Sequence, residues 1–369
     1  GESSRFFSIE VPVFNLLSLA VCKGIRVDND VLVKHKSEIK LDFYRRLKTF
    51  AEKHNVLYEI PPKGDIKDKL VSLGYDVEGC GIDYLMNFLP SVDGYTDDLG
   101  RLQKLHESYR IFNNISSSAH RINPIVESLS TTTSRIYYKS PVLQNIAKRY
   151  RNIFVPDDGL SLSYIDYDQY EVGIMAALSS DQRMLDIYTN MDAYDDLSRF
   201  VFANSEHRKF SKIMFLSYTY GMSMGNILQS VETRGGNVND AKTYFEDFIE
   251  FEKWKTSLCQ SFLENGRIET ISGNFLNRQG TEALSPKEER SVVSQVVQGT
   301  GSYIFKSALI EIDKEEGVDI LIPMHDAVLI QHPEVYQPSL AVQIFENTMS
   351  SILDNKIEGK ASIEEFCVP

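Results

Sequence analysis

At 369 residues the chain exceeds one ordinary compact domain, so two or three lobes are expected. With 42% apolar and 25% charged residues it can bury a sizeable core, which excludes disorder as the main state. The net charge of −13 (39 Lys+Arg against 52 Asp+Glu) argues against a non-specific polyanion binder but leaves room for a local basic groove. No run approaches the ~18 uninterrupted apolar residues of a membrane span, and no signal-peptide core is visible at the N-terminus. The opening Gly1-Glu2-Ser3-Ser4 resembles an expression scar and is set aside. The cysteines, Cys22, Cys80, Cys259 and Cys367, are far apart with no C-x-x-C pair. That spacing suits a reducing intracellular compartment rather than a disulfide scaffold or a zinc site.

In chain order, Val11 to about Glu52 has helical periodicity, interrupted at Gly24-Ile25-Arg26-Val27-Asp28 by a short extended turn. From about Asp42 to Ile115 the pattern is mostly helical with a break at Pro61-Pro62-Lys63-Gly64, and the polar run Asn113 to His120 reads as a loop or helix tip. Leu160 to Ile165 alternates Leu-Ser-Leu-Ser-Tyr-Ile, a half-buried strand that ends in Asp166. Val172 to about Asn265 is helical again, with a turn at Gly235-Gly236. Val318 to Met324 and Ala327 to Gln331 are two strand-like runs flanking His325-Asp326, the pattern of a hairpin with an aspartate at its tip. A sheet can bring Asp166 and Asp326 together if the intervening helices form a separate lobe.

Three features could carry chemistry. Two carboxylates fixed at strand ends can hold hard cations, and a pair of Mg²⁺ ions about 3.5–4 Å apart would activate an attacking oxygen and stabilise a leaving one. Taken alone, the same aspartates also fit ordinary turn positions. Next, Arg208, Lys212, Leu216 and Tyr220 follow at i, i+4 spacing, and Gly221 offers a helix stop. Such a stripe suits a nucleoside triphosphate, with cations for phosphates, an apolar residue for the base and a phenol at the sugar; a packed helix with a basic edge is the plain alternative. Third, Ser134 to Asn152 holds Arg135, Lys139, Lys148, Arg149 and Arg151 with no acidic residue, interleaved with Tyr137, Tyr138, Gln144 and Asn145. Phosphate contact with amide hydrogen bonding to bases fits it, as does a solvated basic loop.

In this order the features resemble the polymerase region of family A DNA polymerases, the class of bacterial DNA polymerase I. Asp166-Tyr167-Asp168-Gln169-Tyr170-Glu171 is similar to the first palm motif D-Y-S-Q-I-E, and Arg208 to Ser223 to the fingers motif R-x-x-x-K-x-x-x-F-x-x-x-Y-G. Met324-His325-Asp326-Ala327 resembles the second palm motif V-H-D-E. Thr133-Ser134-Arg135, Leu143-Gln144-Asn145-Ile146 with Arg149, Glu289-Arg290 with Gln298-Gly299-Thr300, and Ile9-Glu10-Val11-Pro12 add weaker support.

The resemblance implies an α+β right-hand polymerase fold, with an antiparallel palm sheet and mainly helical thumb and fingers. The implied divisions are 1–41 as an N-terminal palm segment, 42–120 thumb, 121–178 palm, 179–274 fingers and 275–369 palm. It implies template-directed addition of dNTPs to a primer 3′ end. Asp166 and Asp326, with the Tyr167 carbonyl, would hold two Mg²⁺ ions, for which Mn²⁺ could substitute. Lys212, Arg208 and Arg149 would grip the triphosphate, with Lys212 protonating the leaving pyrophosphate. Tyr194, Leu216 and Tyr220 complete the nucleotide site, and Glu171 would pair with Tyr220 and exclude a 2′-hydroxyl. Arg135, Arg290, Gln298 and His325 would touch the primer–template, and Gln144 and Asn145 the template side. The implied partners are primer–template DNA and dNTPs, without a membrane, for a monomer or a chain with an accessory factor or further N-terminal domain.

The chain departs from the family pattern at several points. Leu216 stands for an aromatic, Ala327 for an acid, Tyr194 for a histidine, Asp168 for a serine and Ser294 for an asparagine. His106 and Glu107 stand where a basic thumb residue is usual. Too few residues precede the expected thumb for a proofreading domain, so the chain is either an excised fragment or naturally without one. The competing readings are a DNA-binding scaffold with a decayed site and, less favoured because of Glu171, a single-subunit RNA polymerase.

Overall fold

The structure, a computed structural model, describes every position except 76, 78–80, 281 and 369. Helix α1 (Glu2–Arg5), a π-helical turn (Phe6–Glu10) and α2 (Val11–Lys23) run on continuously. Pro12 cannot donate to the preceding turn, and the wider π turn directly before it accommodates that missing bond. Glu2–Lys23 is long and apolar enough, by length and composition only, to cross a membrane, although Glu10, Asn15 and Ser18 interrupt its apolar residues. Its Val13, Leu16 and Leu17 are buried in the core, while Phe7, Phe14 and Leu19 are exposed.

Asp28 caps α3 (Asn29–His54), its carboxylate accepting the Val31 N–H at 3.1 Å. The expected palm–thumb boundary at 41/42 falls inside this unbroken helix. The helix runs on until Asn55, in the left-handed conformation, caps it. Next come α4 (Lys63–Ser72), α5 (Ile82–Phe88) and α6 (Tyr95–Asn113). α6 packs along α3, with Phe43 stacked on Tyr109 and His106 at ring separations of 4.9 and 5.1 Å. The chain then returns to its starting point, where β1 (Ile25–Arg26) pairs with β2 (Arg121–Ile122).

β3 (Ile125–Glu127) and β4 (Tyr137–Ser140) form a hairpin that carries the 128–135 loop. Two 3₁₀ turns, Leu143–Asn145 and Lys148–Ile153, lead into β5 (Leu160–Tyr167). After β5 come seven helices: α7 (Tyr170–Ser179), α8 (Gln182–Asn190), α9 (Ala193–Phe202), α10 (Arg208–Thr219), α11 (Met224–Glu232), α12 (Val238–Glu246) and α13 (Ile249–Asn265). The expected boundary at 274/275 lies within a hairpin of β6 (Arg267–Glu269) and β7 (Phe275–Asn277). α14 (Pro286–Ile312) opens with a full capping box of Ser285 and Glu288. β8 (Asp319–Met324), β9 (Ala327–Pro333), α15 (Ser339–Ile352) and β10 (Ala361–Glu364) complete the chain.

One antiparallel sheet, in the order β10-β5-β9-β8, sits at the centre, with α15 packed against β5 and β10. α14 packs on α15, α7 and α2 and is buried along most of its length. Inside this layer Glu10 meets two cations, Arg5 and Lys306, the latter at 2.5 Å. Lys306 also donates to the Ser128 carbonyl at 2.7 Å, and Arg5 to the Ser134 hydroxyl at 3.2 Å. This ionic cluster ties the first helix, α14 and the 128–135 loop into one body.

Removing the shared anion would leave two buried cations without their partner. Glu10→Ala is therefore expected to cost about 3–5 kcal/mol of unfolding free energy. Denaturant titration measures it, and a loss below about 1 kcal/mol would show that the cluster contributes little.

Candidate active site

The sheet register brings the two aspartates together. Asp166, near the end of β5, lies opposite Ala327 on β9, and Asp326 is the residue just before it in the two-residue β8–β9 turn. His325 takes the strained position of that turn, with φ +60, which presents Asp326 at the sheet end beside Asp166. Burial, then the neighbouring Asp326 carboxylate, push the Asp166 carboxyl up to about 7. Burial also raises Asp326, with Glu171 adding repulsion and Lys212 opposing it. Burial lowers the His325 imidazole, which favours its neutral form. Among the described residues neither aspartate is ion-paired. A third carboxylate, Glu364, lies opposite Tyr164 on the same sheet face as Asp166 and repels it further.

α10 faces this pair with its cations. Tyr194 is the platform beneath them: the Arg208 guanidinium lies 5.6 Å and the Lys212 ammonium 5.5 Å from its ring centroid. Tyr194 is buried, and burial drives its phenol far above the ordinary range. Lys212 pairs with no carboxylate among the described residues, whereas Arg208 is held by Asp192 at 2.5 Å. Asp192 also caps α9 by accepting the Tyr194 and Asp195 N–H groups, so one carboxylate orients both the platform and the arginine. Gln169, at φ +51, accepts from the Ala193 N–H at 2.6 Å and fixes this corner to the end of β5.

The remaining expected residues divide into two groups. Glu171 accepts from the Tyr220 hydroxyl at 2.8 Å and from Arg135 at 3.2 Å, and Gln298 hydrogen-bonds Tyr220. Arg135, Tyr170, Glu171, Ser302, His325 and Asp326 enclose a cavity of about 240 Å³. Beside it, Thr133, Tyr220, Arg290, Ser294 and Gln298 line an open groove of about 490 Å³. Gly221 stands at φ +96 where the Arg290 side chain crosses; a Cβ there would sit 3.1 Å from Arg290 Cγ. Leu216 is half-buried against the core.

Gln144, Asn145 and Arg149 of the basic segment each have partners within the protein. Gln144 is buried, and its amide donates to the Ile136 carbonyl at 2.9 Å and accepts from the Tyr138 N–H at 3.3 Å, so it braces the backbone rather than facing a template. Asn145 donates to Glu107 of α6 at 2.6 Å. The Arg149 guanidinium lies 4.6 Å from the Tyr150 ring centroid. The inward cation is Arg151, which donates to the Ile146 carbonyl and lies 5.6 Å from the Tyr164 ring, on the Asp166 side. A 3₁₀ turn advances about 120° per residue, so Arg149 and Arg151 leave it in directions about 120° apart. The described cysteines, Cys22, Cys259 and Cys367, are free, and Cys80 lies outside the described residues.

A sequence model of DNA polymerase family A matches residues 98–364. The chain belongs to this family. It is 23% identical to DNA polymerase I of Caldicellulosiruptor bescii, over 97% of this chain and 46% of that protein. It is 27% identical to DNA polymerase theta of Caenorhabditis elegans, over 62% of this chain and 15% of that protein. The chain thus spans less than half the length of these relatives. Its fold matches a solved POL domain of Pol1 from M. smegmatis, in complex with DNA primer-template and dNTP, with a TM-score of 0.75 at 20% identity, covering 96% of this chain and 69% of that one. The right-hand polymerase fold, with its antiparallel palm sheet, is the fold of this chain.

The donors of this family A site suit a hard divalent cation: two half-buried, mutually repelling carboxylates and a neighbouring strand-end carbonyl. Without one, ionising Asp166 is unfavourable. Its folded pKa lies above the unfolded value, so its contribution to stability is full at about pH 4 and is lost as pH rises through 7. In chelator at pH 8, Asp166→Asn is expected to be more stable than the parent by roughly 2–4 kcal/mol. Denaturant unfolding across pH should show this difference vanish near pH 4; a pH-independent difference would contradict it.

Proposed function

We propose that the chain is a template-directed DNA polymerase that extends a primer 3′ end with dNTPs, its partners being primer–template DNA and dNTPs. The observation that carries this reading is the register-locked pair Asp166 and Asp326 beneath the cation face of α10, where the Lys212 charge acts on both. Asp166, Asp326 and the Tyr167 carbonyl would hold two Mg²⁺ ions, or Mn²⁺ in their place. Bound there, such ions supply charge neutralisation and an activated primer hydroxyl, the main requirements of phosphoryl transfer.

The chain's own groups account for the other requirements. Lys212, free of any carboxylate among the described residues, can meet the triphosphate and carry a proton to the leaving pyrophosphate. Arg208 would exchange Asp192 for phosphate, which makes nucleotide binding a competition between two anions for one guanidinium. Glu171, fixed by Tyr220 and Arg135, would occupy the space a 2′-hydroxyl needs. Arg135 and Gln298 would touch minor-groove edges, which carry too little information to read sequence, so base pairing selects the nucleotide.

Primer extension tests the reading. Asp166→Ala and Asp326→Ala are each expected to lower incorporation at least about a thousandfold, while Asp168→Ala retains it. Full extension by both palm variants would overturn the metal assignment. Glu171→Ala should raise ribonucleotide incorporation relative to dNTP incorporation, measured as the ratio of kcat/KM values; an unchanged ratio would remove Glu171 from sugar selection.

A further inference from the structure

The helix α5, remote in sequence from the nucleotide helix, touches it in space. The Tyr84 hydroxyl lies 2.9 Å from the Asn226 carbonyl oxygen and 3.0 Å from Gln229 Oε1, both acceptors on α11. Phe88, one turn on and stacked on Tyr84 at 5.4 Å, meets the edge of Phe210 on α10 at 6.0 Å. Arg234 closes the contact: it lies 4.1 Å over the Phe210 ring and donates to the Asn87 carbonyl at 3.4 Å. Tyr84, Phe88 and Phe210 are all buried, so this is a packed junction rather than a grazing contact.

Its position on α10 matters. At 100° per residue, Phe210 lies about 200° round the helix from both Arg208 and Lys212. The cations rest on Tyr194, while the opposite side is held by Phe88, Phe202 and Arg234. Side chains from the α3–α6 lobe therefore brace the back of the helix whose front faces Asp166 and Asp326.

We propose that Tyr84 and Phe88 are positioning residues for α10, setting the orientation in which Arg208 and Lys212 meet the nucleotide. This rests on the polymerase reading for its substrate but not for its geometry. Because the brace comes from the lobe expected to hold duplex, displacement of that lobe is transmitted to the nucleotide helix.

Steady-state kinetics and hydrogen exchange together test the proposal. Phe88→Ala is expected to raise the dNTP KM roughly five- to tenfold, more than it lowers kcat, and Phe88→Leu to restore part of it. Tyr84→Phe, which removes only the hydrogen bonds, should raise KM about threefold. In both Phe88→Ala and Tyr84→Phe, amides of Arg208–Thr219 should exchange faster in the unliganded protein, while the thermal midpoint stays within a few degrees. Unchanged KM and unchanged exchange in folded variants would overturn the proposal. So would weaker primer–template binding with KM unaltered, which would make α5 a duplex grip alone. If Phe88→Ala does not fold, Tyr84→Phe still decides. A parent protein that exchanges as expected yet incorporates no dNTP would count against the polymerase reading and leave the brace standing.

Discussion

Two carboxylates held near one another in a half-buried setting are the constraint on which the rest of this structure depends. Strand β5 delivers Asp166 and the β8–β9 turn delivers Asp326, and the pairing of Asp166 with Ala327 leaves them no route apart. Both are partly withdrawn from water, which raises the cost of both charges. Such a pair is stable only when protonated or when a cation joins it. The surrounding structure supplies no ion-pair partner for either among the described residues, and brings Glu364 and Glu171 near as further negative charge.

Around that centre, the charged groups are held by neighbours that can exchange. Glu171 shares one oxygen between Tyr220 and Arg135, and Arg208 is shared between Asp192 and the Tyr194 face. Each of these contacts occupies a group that the proposed chemistry would redirect to sugar, minor groove or phosphate. The buried Glu10 cluster has a different role. It joins the first helix, α14 and the loop before Arg135, and this gives Arg135 a rigid base although the residue itself is half-exposed.

Much of this was legible in the sequence where periodicity governs position. The Leu-Ser-Leu-Ser alternation marks β5, and two apolar runs around His325-Asp326 mark the hairpin. The i, i+4 stripe places Arg208 and Lys212 on one side of α10, where both cations lie over the Tyr194 ring. What was not legible depends on local geometry or long-range packing. That Arg151 is the cation turned inward depends on its contacts with the Ile146 carbonyl and the Tyr164 ring, which its spacing does not show. Gln144 carries no sign of burial in its spacing, yet the fold spends its amide on the backbone. Asp192 is an ordinary-looking cap residue until Arg208 arrives beside it, and the contact of Tyr84 with α11 spans 142 positions of chain.

Anomalous diffraction from crystals grown with Mn²⁺, primer–template and a non-hydrolysable dNTP tests the central claim most directly. The account predicts manganese peaks in contact with both Asp166 and Asp326, below the Lys212 ammonium. Manganese bound elsewhere, with these two carboxylates touching no ion while the nucleotide is in place, would contradict it.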